Sequence, residues 1–318
     1  MRRSLHAKHD RHWAHIAETG TTIGMSILIF VYRLGGRRLF KLFLFPVIVF
    51  YFLLRADSRQ ASKKYLLRVS GVVADMEKVT WRLSFIHFWQ FALSLIDKFA
   101  IWMGKIPQDK VVTHNLEIID QLISRSKGGI FAISHLGNFE IISAMSQRHK
   151  GVKLTVLHHT KHAEKFNRLL KKYNANSTVE LLQVTALDAV LGMRLNEKVS
   201  RGEFIAIASD RLPVSNKKAT VSCSFLGEQA DFPTGPYVLA NILSVPIIML
   251  VCVKEQGVYH AYFETLSEPK KLARSERDVF ISETAQRFAT RLEYYVCKEP
   301  LQWFNFYHFW HQENNQDI

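Results

Sequence analysis

The sequence predicts an α/β fold with a mixed central sheet flanked by helices, preceded by an N-terminal helical segment that associates with a membrane. Three observations carry this. From Val111 onward, short β-rich apolar runs alternate with helical patterns. Two of those runs, Ile130–Ile133 and Phe204–Ala208, lead directly into His135 and Asp210-Arg211, and in open α/β sheets ligands collect at the carboxyl ends of strands. Before residue 70, cations are interleaved with strongly apolar stretches.

The chain has 318 residues, 48% of them hydrophobic, enough for one main domain with an appendage. The expected division is a basic and apolar membrane-associating segment over 1–70, a main domain over 71–312 and a disordered tail over 313–318. Net charge is +14, and residues 1–70 supply +10 of it, with thirteen Lys or Arg against Asp10, Glu18 and Asp57. Cations set between apolar runs fit an anionic membrane surface better than nucleic acid, which asks for polar and aromatic residues between the charges. Cys223, Cys252 and Cys297 lie far apart in no metal-like spacing, so a reduced, cytosol-facing environment with three core thiols is expected. The N-terminus is basic rather than apolar and shows no cleavable leader pattern.

In chain order, Met1–His15 is polar and basic and belongs in water or at lipid headgroups. Ile23–Tyr32 is apolar; after the Arg33–Arg38 break a second run covers Leu39–Leu54, interrupted by Lys41 and Pro46. Neither reaches the ~18 uninterrupted apolar residues of a spanning helix. A pair of helices lying in one leaflet is the first reading; a short tilted span over Leu39–Leu54 and two buried helices of a soluble domain are the alternatives. Arg55–Met103 reads as helical, and its Phe85/Phe88/Trp89/Phe91 cluster suits either lipid contact or ordinary core.

The α/β part begins with a helix at Glu117–Ser124 and the Ile130–Ile133 strand. Further strands are read at Lys153–His158, Val179–Leu182, Phe204–Ala208, Ser222–Phe225 and Pro246–Val253, with Val258–Glu264 closing a hairpin. Helices are read at Glu164–Lys172, Ala186–Val199, Gly235–Ile242 and Ser275 to about Cys297, the last opened by a weak capping box of Ser275 and Asp278.

The stretch Ser134–Asn138 is a polar, glycine-bearing turn after a buried strand, and Asn138 can cap a helix that carries Glu140 in its first turn. His135 and Glu140 are five residues apart, so on one continuous helix they would face different ways. Across a turn at Gly137 they can meet. A carboxylate on one ring nitrogen fixes the tautomer and leaves the other nitrogen to take a proton from a hydroxyl. The plainer alternative is a histidine capping a strand end beside a solvated Glu. Likewise Asp210-Arg211 is either a ligand-facing pair or a local ion pair.

His135-Leu-Gly-Asn-Phe-Glu140 resembles the H-x-x-x-x-E signature of the lysophospholipid acyltransferase superfamily, in particular the bacterial lipid A late acyltransferases. Asp210-Arg211, Phe225-Leu-Gly227, Phe232-Pro-Thr-Gly-Pro-Tyr-Val-Leu-Ala240 and Glu299-Pro-Leu-Gln-Trp303 resemble the downstream blocks of that group in order and spacing. The resemblance covers roughly residues 110–310, and the segment around Trp13, Glu18 and Gly20 is similar to a stand-alone bacterial branch of the superfamily. One departure is plain. His158-His159 stands where the lipid A enzymes carry a Tyr-Arg pair, with Lys161 nearby and Asn167 in place.

The resemblance implies a glycerolipid-acyltransferase-like fold and a membrane-associated O-acyltransferase. It would move an acyl chain from an acyl carrier protein or coenzyme A thioester to a hydroxyl of a lipid or glycolipid. It implies His135 and Glu140 as the catalytic base pair, and a bacterial inner-membrane location with the catalytic domain facing the cytoplasm. Arg211, Asp210, Asn138, Gly235 and Lys161 are the candidates for substrate binding or for holding the oxyanion or a phosphate. A guanidinium at a strand end offers a planar fork of donors, and Thr234-Gly235-Pro236 can turn backbone N–H groups toward an anion. Lys161, Lys165, Lys171 and Lys172 could face an acidic carrier protein. No cofactor and no metal are expected, since His158 and His162 have no carboxylate or cysteine at matching spacing. Absence of G-x-S-x-G, G-x-x-x-x-G-K and G-x-G-x-x-G argues against a serine hydrolase and nucleotide chemistry. A non-catalytic lipid-binding or scaffold protein that keeps the fold is the alternative from another class; a nucleic-acid binder ranks last.

Overall fold

The computed structural model describes residues 22–102, 106–141, 152–158, 179–183, 189–212, 219–270 and 272–310. Its strands are β1 (Val111–His114), β2 (Gly129–Ile133), β3 (Leu154–His158), β4 (Val179–Gln183), β5 (Phe204–Ala208), β6 (Thr220–Phe225), β7 (Glu228–Pro233), β8 (Ile247–Glu255) and β9 (Val258–Ser267). Its helices are α1 (Thr22–Leu54), α2 (Ala56–Val72), α3 (Trp81–Trp102), α4 (Glu117–Ser124), α5 (Ala189–Ser200), α6 (Gly235–Leu243) and α7 (Arg277–Lys298). Seven strands form one sheet in the order β1-β9-β8-β2-β5-β3-β4, and β6 and β7 pair separately as an antiparallel hairpin. Within the large sheet every pairing is parallel except β8 with β9, so the sheet is mixed.

Alternation along the central strands divides the core. Ile130 and Ala132 of β2, with Ile247, Met249, Val251 and Val253 of β8, face α2, α5, α6 and α7. Phe131 and Ile133, with Ile248, Leu250 and Cys252, face the other way and pack with Ile119 of α4, Ile101 of α3 and Ile141. All five residues of β2 are buried. That is why this run is continuously apolar rather than alternating, as a parallel strand covered on both faces must be. Cys223 and Cys252 are buried and Cys297 partly so, all three as free thiols.

Several boundaries differ from those expected. The helical stretch read over Arg55–Met103 is two helices with an irregular link at 73–80. Strands β1 and β7 were not separately anticipated. Ser275 and Asp278 do not cap α7. A 3₁₀ turn over Arg274–Glu276 precedes it, and Glu276 reaches back to the Ala273 N–H at 2.8 Å. The helix expected at Glu164–Lys172, and continuation of a helix beyond Ile141, lie outside the described residues.

In the N-terminal part, Gly36 adopts φ 61°, ψ −156° and interrupts α1. Beyond it, Phe40, Leu44, Ile48 and Phe52, spaced four apart, are buried against Phe88, Ala92, Ile96 and Ala100 of α3. Many other apolar side chains of this half of α1 are exposed: Leu42, Phe43, Phe45, Val47, Phe50, Leu53 and Leu54. Among the described residues no single helix is long and apolar enough to cross a membrane; Gly36–Leu54 and Ala56–Val72, bent by 90°, pass by length and composition as a pair.

A buried polar chain fastens α2 and α3 to the C-terminal segment. Ser84 donates to Ser62 at 2.9 Å, Ser62 Oγ lies 3.0 Å from His87 Nδ1, and His87 Nε2 lies 2.9 Å from the Trp303 carbonyl. One tautomer satisfies every member: Nε2–H donates to Trp303 and Nδ1 accepts from Ser62. Tyr65 donates to the Pro300 carbonyl at 2.6 Å alongside.

Burial lowers the His87 pKa from 6.5 to about 4, the bond to Trp303 opposing it. Below pH 6.5 the unfolded chain therefore takes up a proton that the folded chain refuses. This contribution to stability is complete above pH 6.5 and is lost as pH falls toward 4, a loss on the order of 3 kcal/mol. Urea midpoints at pH 7.5 and pH 5 are expected to differ by less in His87→Gln, whose amide can keep the bond to Trp303 without titrating, than in the wild type.

Candidate active site

Sheet register builds the site. Strands β2 and β5 pair in parallel from Gly129↔Phe204 to Ile133↔Ala208, a constant offset of 75 residues. The Ser209 N–H continues the ladder to the Ile133 carbonyl at 2.8 Å. Two residues past both strand ends, the same offset sets His135 beside Asp210. His135 Nδ1 lies 2.8 Å from Asp210 Oδ1, and the His135 backbone N–H donates to Oδ2 at 2.7 Å. The Trp303 indole Nε1–H donates to the same Oδ2 at 2.9 Å. The Asp210 side chain is 1% exposed, while that of His135 is 33% exposed.

The loop bearing His135 is clamped on both sides. Leu136 bridges Trp303 and Gly137 bridges Cys252 of β8. Phe304 N–H donates to the His135 carbonyl at 3.0 Å, Gly137 N–H to the Gln302 carbonyl at 2.8 Å, and Asn138 N–H to the Cys252 carbonyl at 2.8 Å. Gly137 has φ +68°, and a Cβ there would lie 1.9 Å from the Cys252 oxygen. Only glycine fits, on conformation and on space.

Although a third of the imidazole is open, loss of solvation is the largest influence on His135. With Arg211 it outweighs the opposing pull of Asp210 and holds the pKa below 6.5. For Asp210, burial pushes the carboxyl up, but the charge and bonds of His135, with Arg211, hold it below its ordinary value. At neutral pH the pair is therefore an ionised carboxylate and a neutral imidazole. With Nδ1–H committed to Asp210, the lone pair sits on Nε2 and is available to a proton.

This corrects the expected pairing. The carboxylate at His135 Nδ1 is Asp210, not Glu140; Glu140 forms an ion pair with Lys98 of α3 at 2.6 Å. Past the Gly137 bridge to Cys252 the chain carries Glu140 to Lys98 of α3 instead. Asp210 bonds both the ring and the backbone N–H of His135. Arg211 donates from Nη2 to the Phe304 carbonyl at 3.3 Å and lies over the Tyr307 ring at 5.7 Å. It stands at the strand end, as expected.

Asn138 does not serve as a side-chain cap. Its carbonyl accepts the Ile141 N–H at 3.2 Å, while its Nδ2 donates to the Ser94 carbonyl of α3 at 3.3 Å. Gly235 opens α6, with Thr234 at the N-cap position making no side-chain cap and Pro236 in the first turn. Because α6 leads into β8, and β8 runs parallel to β2, its N-terminus lies at the same end of the sheet as His135. Tyr237 in that first turn feels the Asp210 charge. Lys161 and His162 lie outside the described residues, and only the backbone of His158 is described, in β3. Among the described residues no group of three or more His, Cys, Asp or Glu side chains is arranged to hold a metal ion.

Three contributors were not anticipated: Lys98, the Phe304 backbone and the Trp303 indole. Trp303 closes a sequence block already singled out, but nothing in its spacing indicates a bond to a residue 93 positions away.

Gly137→Ala is expected to displace the His135 loop, lowering stability by about 3 kcal/mol or more because the Cβ meets backbone rather than a flexible side chain. Chemical denaturation checks this, and a Gly137→Ala protein as stable as wild type would contradict the clamp.

The family model for bacterial lipid A biosynthesis acyltransferases matches residues 6–312, nearly the whole chain. A comparison with curated proteins finds no match. The match runs over nearly the whole chain, which belongs to the bacterial lipid A biosynthesis acyltransferase family and is an acyltransferase.

Proposed function

We propose that the protein is a membrane-associated O-acyltransferase that moves an acyl chain from an acyl carrier protein or coenzyme A thioester to a hydroxyl of a lipid or glycolipid, with His135 as general base. The observation that carries this reading is the bond of 2.8 Å between His135 Nδ1 and the buried Asp210 carboxylate. It leaves a basic Nε2 on a partly open imidazole, with no serine or cysteine needed as acyl carrier.

In this reading Nε2 takes the proton from the acceptor hydroxyl as its oxygen attacks the thioester carbonyl. The new C–O bond gives a tetrahedral oxyanion, and Asp210 stabilises the imidazolium formed beside it. Collapse breaks the C–S bond, and the departing thiolate receives the proton from His135. Arg211, one residue from Asp210, is the cation best placed to oppose negative charge on the oxyanion or on a phosphate of either substrate. Glu140 holds Lys98 and so limits the positive charge felt by His135, whose pKa Lys98 lowers.

The membrane part of the proposal rests on α1. Its exposed apolar residues are flanked by Arg37, Arg38, Lys41, Arg55 and Arg59. Apolar side chains can enter the acyl region of one leaflet while the cations meet phosphates. Attachment to the cytoplasmic face of a bacterial inner membrane, with carrier protein and acceptor meeting there, is consistent with this arrangement.

Thiol release from acyl-carrier-protein and coenzyme A thioesters, with lipid extract as acceptor, tests the chemistry. His135→Ala is expected to lose about 10³-fold and Asp210→Asn about 10²-fold or more while remaining folded, because the amide cannot hold the required tautomer. Glu140→Gln is expected to lose less than Asp210→Asn. Undiminished transfer in His135→Ala would exclude the mechanism. For the membrane, the triple variant Phe43→Ser, Phe50→Ser, Leu53→Ser should cosediment with anionic vesicles about tenfold less than wild type. Equal sedimentation would remove α1 as the attachment face.

A further inference from the structure

We infer that Trp303 is a positioning residue for the acyl-transfer chemistry: its indole N–H locks the Asp210 carboxylate, and through it the tautomer and orientation of His135. The inference rests on His135 acting as the general base.

An aspartate with a single partner can rotate about its side-chain bond and exchange oxygens. Here Oδ1 faces the imidazole, while Oδ2 receives both the His135 backbone N–H and Trp303 Nε1–H. Both donors to Oδ2 lie in rigid settings. The His135 backbone continues from β2 and is clamped at its carbonyl by Phe304. The Trp303 backbone bridges Leu136, and its carbonyl accepts from buried His87. Its ring stands edge-on to Tyr65 at 5.0 Å, Phe225 at 5.3 Å and Phe309 at 5.1 Å, and the residue is fully enclosed.

Chemical type matters as much as geometry. The indole nitrogen is a donor and never an acceptor, so it can bond Asp210 only through a lone pair. It therefore favours the ionised carboxylate, which in turn requires the proton of the neutral imidazole to sit on Nδ1. A residue such as glutamine could turn its oxygen toward Asp210 and favour a protonated acid; tryptophan has no such alternative. An aromatic ring of any kind would fill the space. The bond needs the N–H.

Two variants separate packing from positioning. Trp303→Phe removes the donor and some volume. Replacing Trp303 with 3-(3-benzothienyl)alanine puts sulfur in place of N–H in a ring of nearly the same shape. The measurement is kcat, KM and the pH dependence of kcat/KM for the full-length protein in membranes, beside His135→Ala. With one donor fewer, Asp210 carries more unshielded charge and holds the imidazolium more strongly. The acid limb of kcat/KM is expected to move to higher pH by about half a unit or more, with kcat down about tenfold and KM nearly unchanged, in the benzothienyl variant as in Trp303→Phe.

A benzothienyl variant with wild-type kcat and an unmoved acid limb overturns the inference and leaves Trp303 as packing, provided His135→Ala is inactive. Lower activity with an unmoved limb in that variant overturns it as well. If His135→Ala retains activity, the general-base reading fails and the inference with it, a result distinguishable from the first two.

Discussion

The site depends on one constraint, the parallel register of β2 on β5. Once Gly129 is opposite Phe204, no freedom remains in which residues meet beyond the strand ends. A slip of one residue would turn Phe131 and Ile133 from one buried face to the other and bring neither His135 nor Asp210 to the same place. Core packing and site assembly are thus set by the same pairing. The buried carboxylate is tolerable because it accepts three hydrogen bonds: an ionised Asp at 1% exposure would otherwise carry a cost of several kcal/mol. His135 supplies two of its donors and Trp303 the third.

Helix α3 ties this pairing to the N-terminal part through two stripes at helical spacing. Phe88, Ala92, Ile96 and Ala100 face α1. His87, Phe91, Ser94 and Lys98 face the site, reaching the Trp303 carbonyl, the Phe304 ring at 5.3 Å, the Asn138 amide and Glu140 respectively. Between the stripes, buried Asp97 accepts from Arg37 of α1, from Lys254 of β8 at 2.8 Å and from the Tyr259 hydroxyl. A helix committed on both sides has little polar surface left to mark its orientation. That is why the sequence left the Phe85–Phe91 cluster open between lipid contact and core; in the structure Phe88 is buried, while Phe85 and Trp89 pack partly buried beside it.

Much of the α/β part was legible because each element carries its own signal. Phe204–Ala208 and Glu117–Ser124 match their expected bounds, since a five-residue apolar run and an eight-residue amphipathic turn are local facts. The α7 cap was misread because Ser275 looks like a cap, whereas the preceding 3₁₀ turn uses Glu276. The candidate residues were legible as types at strand ends: His135, Asp210 and Arg211 all stand there. Their partnership was not. A separation of five residues invites pairing His135 with Glu140, while the observed partner is 75 residues away, and only strand order and register bring it near.

The same reasoning explains why the C-terminal block matters to a site whose histidine lies in the middle of the chain. Between Gly137 and Phe304 the chain makes a short bridge in which the His135 carbonyl and the Gly137 and Asn138 N–H groups find partners on Phe304, Gln302 and Cys252, and Leu136 bridges Trp303. A loop at a strand end would ordinarily satisfy those groups with water and keep the mobility that water allows. Here the 300–305 segment replaces water on one side and β8 on the other, so the imidazole rests on a backbone with no slack. The price is strict geometry at Gly137, where Cys252 leaves no room for a side chain. Rigid backbone, fixed carboxylate and one open ring nitrogen form a single arrangement, in which disturbing any part is felt at Nε2 of His135.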